Sequence, residues 1–244
     1  LGEAFAAAIA DSLKAQGLAA ADAAVTPFAS PRRLAVLVAD VTAQASDKPV
    51  SHKLMPVSVG LDADGHATPA LLKRLAALGL DDAIVAKLKR AGEGKGKALF
   101  FDSVAKGATL AEGLQKALDE SLTRLPIPKV MTYQLHENCE QPGWSTVNFV
   151  RPVHGLVALH GSEVVPVSVL GLTAGRTTQG HRFEAAVSPV SLRDADSYAA
   201  QMESEGAVIA SFAARRADIV RQLHAAAAKA GGGVTAVEDD ALLD

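Results

Sequence analysis

The sequence predicts an α+β protein: a mixed or antiparallel sheet with packed helices. Two patterns point there. Apolar residues recur at helical spacing in stretches with capping signals at their ends, and between them lie short β-branched runs closed by glycine and proline turns.

Residues 3–16 place Phe5, Ile9 and Leu13 four apart on one stripe, and Gly17 ends the helix. In TPFASPRRLAVLVADV, Pro27 and Pro31 are expected to bracket a turn. Leu34–Val41 then reads as a buried strand with Arg32 and Arg33 at its entrance. Thr68 and Pro69 fit the N-cap and first turn of a helix running to Gly79, and a short helix over Asp81–Arg90 follows. The stretch KLKRAGEGKGK sets Lys87, Lys89, Arg90, Lys95 and Lys97 against the single acid Glu93, with glycines that oppose regular structure. It reads as a mobile basic loop, either a solvated turn before the strand ALFFDSV or a phosphate contact.

Thr109 and Glu112 have capping-box spacing ahead of Leu114, Leu118 and Leu122, which predicts a helix over 109–124. Pro126 and Pro128 in LPIPK break it, and a boundary is expected there, between an α/β lobe of residues 1–128 and a β-rich lobe with helices over 129–244. The two lobes are also read as possible parts of one composite domain. Residues 1–130 carry 16 basic and 14 acidic residues, whereas 131–244 carry 8 and 13. In the second part STVNFV, HGLVALHG and EVVPVSVLG read as strands, with a hairpin turn at Gly161 and Ser162. Ser191 and Asp194 introduce a helix to about Ser204, AVIAS reads as a brief strand, and 211–230 as a long amphipathic helix. Its Phe212, Ile219 and Leu223 are expected inward and Arg215, Arg216 and Arg221 outward. At EDDALLD a helix begins, with Glu238, Asp239 and Asp240 favourably placed at its positive end.

Composition narrows the function classes. The chain has 244 residues, 49% of them apolar, which is enough to bury a substantial core. A net charge of -3 and a pI near 6.2 exclude a wholly basic nucleic-acid binder. Cys139 is the single cysteine, so no intrachain disulfide forms and a reduced cytoplasm is the default. The opening residues carry acids at Glu3 and Asp11 and resemble neither a secretion signal nor a membrane span. The chain starts without methionine and stops where a helix begins, so a piece of a longer polypeptide is expected.

Several chemistries lack their signatures. No GxxxxGK[ST] or strand-bound GxGxxG is present, and no GxSxG. His136 and Cys139, with His154 and His160 downstream, lack the second close-set pair of a zinc site, and nothing around Cys139 marks a nucleophile. No metal site and no catalytic residue is assigned. What remains is GLTAGRTTQGHRF, residues 171–183, together with FVRPVHG, 149–155. The first is rich in donors and free of acids. Amides beside Gly171, Gly175 and Gly180 can approach an anion closely, and Arg176 and Arg182 present forked donors that match phosphate. Thr177 and Thr178 add hydroxyls, and His181 can donate to a phosphate or accept from a ribose 2′-hydroxyl. Such a set suits an RNA backbone. The competing reading is a β-hairpin whose glycines serve turns and whose arginines pair with internal acids.

Three stretches together carry a family pattern: FASPRRLAVLVADV at 28–41, FVRPVHGLVALHG at 149–161 and GRTTQGHRF at 175–183. With GEAFA and SYAAQMESEGAVIASFAARRADIV in the same order, they resemble the beta subunit of bacterial heterotetrameric glycyl-tRNA synthetase over nearly the whole chain, as its N-terminal portion. The resemblance implies a fold similar to the editing-type domain of the phenylalanyl-tRNA synthetase beta subunit. It also implies that the alpha subunit forms the adenylate, using ATP and Mg, while beta binds tRNA. No cofactor is then expected in this segment, and the isolated chain should be inactive. Implied partners are the alpha subunit, tRNA(Gly) and the rest of the beta subunit, in the cytoplasm and off the membrane. The expected tRNA-facing residues are Arg176, Thr177, Thr178, His181 and Arg182, with Arg151 and His154 beside them, then Arg32 and Arg33, and Lys95 and Lys97 in the basic loop. Where the family continues GHRF with a histidine, this chain has Glu184. The alternatives are a pure protein-interaction scaffold docking the alpha subunit and a trans-editing deacylase-like domain.

Overall fold

Residues 2–16 are helical as the stripe of Phe5, Ile9 and Leu13 predicts, in a computed structural model that describes residues 1–62, 64–92, 97–237 and 239–243. This helix, α1 (Gly2–Gln16), stops where Gly17 turns left-handed at φ 77°, and the amides of Gly17 and Leu18 return to the carbonyls of Lys14 and Leu13. The chain forms two compact units, one of Leu1–Ala45 with Ala108–Asp244 and the other of Ser46–Gly107.

After α1 comes an antiparallel hairpin of β1 (Val25–Ser30) and β2 (Arg33–Val38). Ser30 pairs with Arg33, so the turn is Pro31–Arg32 and Pro27 lies within the strand, not at a turn as expected. Proline is tolerated there because β1 has no partner on its other edge among the described residues. The strand β2 is also half-buried along its whole length, where a buried strand was expected.

The unit of residues 46–107 is a three-stranded antiparallel sheet with helices on it. Its strands are β3 (Lys48–Pro56), β4 (Lys89–Ala91) and β5 (Ala98–Ala105), in the order β3-β5-β4. Between β3 and β4 lie α2 (Val57–Gly60) and α3 (Pro69–Ala77), the latter capped by the Thr68 hydroxyl on the Leu71 amide. Leu71, Leu75 and Leu99 make the core. The helix expected over Asp81–Arg90 is a 3-10 turn at Asp82–Lys87 followed by β4. Pairing with β5 extends the chain where helical spacing alone favoured another turn. Part of the expected basic loop is therefore strand, and residues 93–96 lie outside the described residues.

The first unit resumes with α4 (Leu110–Arg124), which carries the predicted capping box: the Thr109 hydroxyl accepts from the Glu112 amide, and the Glu112 carboxylate accepts from the Thr109 amide. α1 and α4 pack together, and Ile9, Leu13, Leu18, Ala117, Leu118 and Val167 belong to the buried core. Then come β6 (Met131–Gln134) and β7 (Thr146–Phe149), a hairpin. Three two-residue ladders follow: β8 (Leu159–His160) with β9 (Glu163–Val164), β10 (Ser168–Val169) with β11 (Leu172–Thr173), and β12 (Thr177–Thr178) with β13 (Val190–Ser191). The hairpin at Gly161–Ser162 forms as expected, since His160 pairs with Glu163. The short strands read in HGLVALHG and EVVPVSVLG form as two-residue ladders within those segments.

The next helix, α5 (Tyr198–Ser204), begins later than expected, because Ser191 is used by β13 and the Asp194 carboxylate caps the amide of Ser197. AVIAS forms no strand; its segment links α5 to α6 (Phe212–Ala230). Two expectations for α6 are reversed. Phe212, Ile219 and Leu223 are exposed, and Arg215 is half-buried, donating to the carbonyls of Ile209 and Ala29. A last turn, α7 (Asp240–Leu243), starts where the acids predict, with the Asp239 carboxylate on the Ala241 amide; Glu238 lies outside the described residues.

Candidate nucleic-acid interface

The donor-rich stretch at 175–183 is held from both sides. Gly175 donates to the Leu156 carbonyl at 3.0 Å, and the Leu192 amide donates to the Arg176 carbonyl at 2.9 Å. Thr177 and Thr178 pair with Ser191 and Val190, so their backbones serve the ladder; the Thr177 side is exposed and Thr178 is half-buried. Gly180 lies against Gly206: a Cβ on it would stand 2.8 Å from the Cα and carbonyl oxygen of Gly206. That contact sets the His181 amide 2.6 Å from the Gly206 carbonyl.

From this anchor the chain turns outward. His181 Nδ1 accepts from the amides of Phe183 at 3.3 Å and Glu184 at 3.1 Å. The proton of the neutral ring therefore sits on Nε2, which is the nitrogen left to donate. His181, Arg182, Phe183 and Glu184 are all exposed. The Arg182 guanidinium lies 5.7 Å from the centre of the Phe183 ring and makes no ion pair among the described residues.

The two arginines of the stretch thus differ. Arg176 is half-buried and donates to the carbonyls of Ser162 at 2.7 Å and Leu192 at 3.5 Å. It ties the β8–β9 turn to the segment after β13. Neither arginine pairs with an internal acid among the described residues, so the hairpin alternative holds for the pairing of Thr177 and Thr178 but not for its proposed ion pairs.

One match decides the kinship: residues 1–244 match the family described as Glycyl-tRNA synthetase beta subunit. The chain belongs to the glycyl-tRNA synthetase beta-subunit family. It is 66% identical over 245 residues to the glycine--tRNA ligase beta subunit of Paracidovorax citrulli, covering all of this chain and 35% of that protein. To those of Leptothrix cholodnii and Thiobacillus denitrificans it is 68% identical over 244 residues, again over the whole chain and over 33% and 34% of theirs. The chain spans about one third of the length of the curated relatives it matches.

For a chain of the beta-subunit family, the other candidate residues fall into distinct settings. Arg151 and His154 are exposed on the segment after β7. Arg32 is exposed at the tip of the β1–β2 turn. Arg33 is half-buried, and its Nε is buried without a hydrogen-bond partner among the described residues. It lies near Tyr198, whose burial pushes its hydroxyl pKa up while the Arg33 charge opposes the shift. Tyr198 in turn meets Phe28 edge to face at 5.2 Å, which joins the hairpin to α5. Lys97 is exposed in the unit of residues 46–107, and Lys95 lies outside the described residues.

Two side chains escaped the sequence reading. Phe183 and Trp144 are each 82% exposed. Both aromatics sit amid polar and glycine-rich residues, and that flanking composition was the available signal. Of the histidines considered for zinc, His160 bonds the Val41 carbonyl through Nε2 at 2.7 Å and is taken up in the fold. Asp62, Asp64 and His66 bring ligand atoms within 4.8 Å of one another in the second unit, all three exposed. Asp62 Oδ1 accepts the amides of Asp64 and His66, which explains the cluster as a turn. No helix among the described residues is long and apolar enough to cross a membrane.

Proposed function

We propose that this chain serves tRNA glycylation in the cytoplasm as the N-terminal part of a glycine-tRNA ligase beta subunit, contacting the tRNA backbone through the outward turn at 181–184. Adenylate formation, with its ATP and Mg, is assigned to the alpha subunit, and the chain alone is inactive in aminoacylation. The observation that carries the contact is Arg182: an exposed guanidinium with no acid partner among the described residues, on a turn fixed by backbone hydrogen bonds. Such a group meets a phosphate without first giving up an internal ion pair. The exposed His181 Nε2 lies one residue before it.

Titrating a tRNA(Gly) transcript with the chain at several salt concentrations tests this. Binding is expected to weaken with salt, and Arg182→Ala to lower the affinity and reduce the logarithmic salt slope by about one. Salt-independent binding that Arg182→Ala leaves alone would remove the proposal.

A second reading, a scaffold that docks the alpha subunit, is favoured by one observation. Phe212, Ile219 and Leu223 form an exposed apolar stripe on α6. Ile219→Glu with Leu223→Glu would abolish capture of the alpha subunit under that reading and leave tRNA binding intact.

A further inference from the structure

Phe183 is the most exposed aromatic of the turn, yet it is rigidly presented. The amides of Phe183 and Glu184 both bond to His181 Nδ1, the His181 amide bonds to Gly206, and Ala185 returns a hydrogen bond to the His181 carbonyl. Exposure here is built by the backbone. A phenylalanine held in water forgoes the stabilisation that burial gives, so a turn that fixes it outward leaves a ready apolar face for a ligand.

The neighbours of the ring indicate which ligand. Arg182 sets its charge 5.7 Å from the ring centre, and His181 meets the ring edge to face at 6.3 Å. Gln179, Glu184 and Ser188 of the same segment are exposed and polar, and Ala186, Val187 and Pro189 are exposed and apolar. What sets the ring apart from these small aliphatic residues is the guanidinium beside it, so an aromatic face and a positive charge are offered together. A nucleotide carries what this surface offers to match: a flat π face for the ring and an anion for the adjacent guanidinium. Trp144 is equally exposed, but no cation stacks on it among the described residues.

We infer that Phe183 is a stacking platform for one unpaired RNA base, with Arg182 beside it engaging that nucleotide's phosphate. This rests on the RNA reading above and adds that the turn takes a base as well as a backbone.

The test compares binding of two fluorescent single-stranded probes of equal length, oligo(A) and a base-free ribose-phosphate oligomer, to the chain and its variants. The unaltered chain is expected to prefer oligo(A) by about fivefold to 150-fold. Phe183→Leu should erase that preference with affinity for the base-free oligomer unchanged, and Phe183→Trp should keep it. Because the side chain is exposed, Phe183→Leu should melt at the same temperature as the parent. If Phe183→Leu leaves the preference in place while Arg182→Ala weakens both probes, the platform is refuted and the RNA contact stands. If neither probe binds at low salt, the RNA reading fails and the platform with it. If Phe183→Leu instead abolishes capture of the alpha subunit and leaves both probes bound as before, the ring is a protein contact and the inference is overturned.

Discussion

Arg176 and Arg182 share one acid-free stretch, and only their surroundings separate their roles. Arg176 spans two carbonyls, so Arg176→Ala is expected to cost about 1–2 kcal/mol in urea unfolding while the folded variant binds RNA as before. Arg182 has no such partners among the described residues, which is why its substitution is expected to act on RNA. Gly180 constrains both. Its Cβ position is occupied by Gly206 backbone and the Ala185 side chain, and neither backbone atom can swing aside. Gly180→Ala is therefore expected to destabilise the chain by about 1–3 kcal/mol and to weaken RNA binding even when folded, read by thermal melting and by titration at fixed salt. At this scale the sequence made the residue types legible: donors, glycines and the absence of acids. It could not tell an arginine bonded to carbonyls from one facing water, because the carbonyl of Ser162 reaches Arg176 only once β8 and β9 have turned.

Elements whose signals lie within a few residues were read well. α1 ends at Gly17 and α4 starts at Thr109, each by hydrogen bonds that span five residues or fewer. Thr109→Ala is expected to lose about 1 kcal/mol of stability by denaturant titration. The Glu112 carboxyl is held below its ordinary 4.5, first by the Thr109 hydroxyl and then by the Thr109 amide. The cap's contribution is thus full above that ordinary value and is lost as pH falls through the lowered one. The parent and Thr109→Ala should converge in stability on acidification. α6 was read with its span right and its faces wrong. Periodicity defines a stripe, but only neighbouring chain decides whether the stripe is covered, and here Arg215 is drawn in toward Ala29 while Phe212, Ile219 and Leu223 face out. Short strands were the least legible, since a two-residue ladder depends on a partner brought near by the fold and has little propensity of its own.

At the scale of the whole molecule, the chain leaves its larger unit at Ala45 and returns at Ala108, where the Ala45 amide bonds the Ala108 carbonyl at 3.0 Å and Gln44 pairs with Thr109. The ends of the 46–107 unit are therefore adjacent. Replacing that unit with an Asn-Gly turn is expected to leave the larger unit folding cooperatively, with its helical signal and tRNA binding kept; a molten or aggregated product would show that the larger unit depends on it. By itself the sequence determined the α+β class, the family, and the principal helices with the caps at Thr68 and Thr109. These are set by neighbours along the chain or by ordered residue patterns. The tertiary structure alone decided which guanidinium is spent on carbonyls, which aromatic stands in water, and where the chain divides into units. The physical reason is that exposure and hydrogen-bond partnership are settled by residues far apart in sequence, as where Gly180 meets Gly206 and Arg215 meets Ala29.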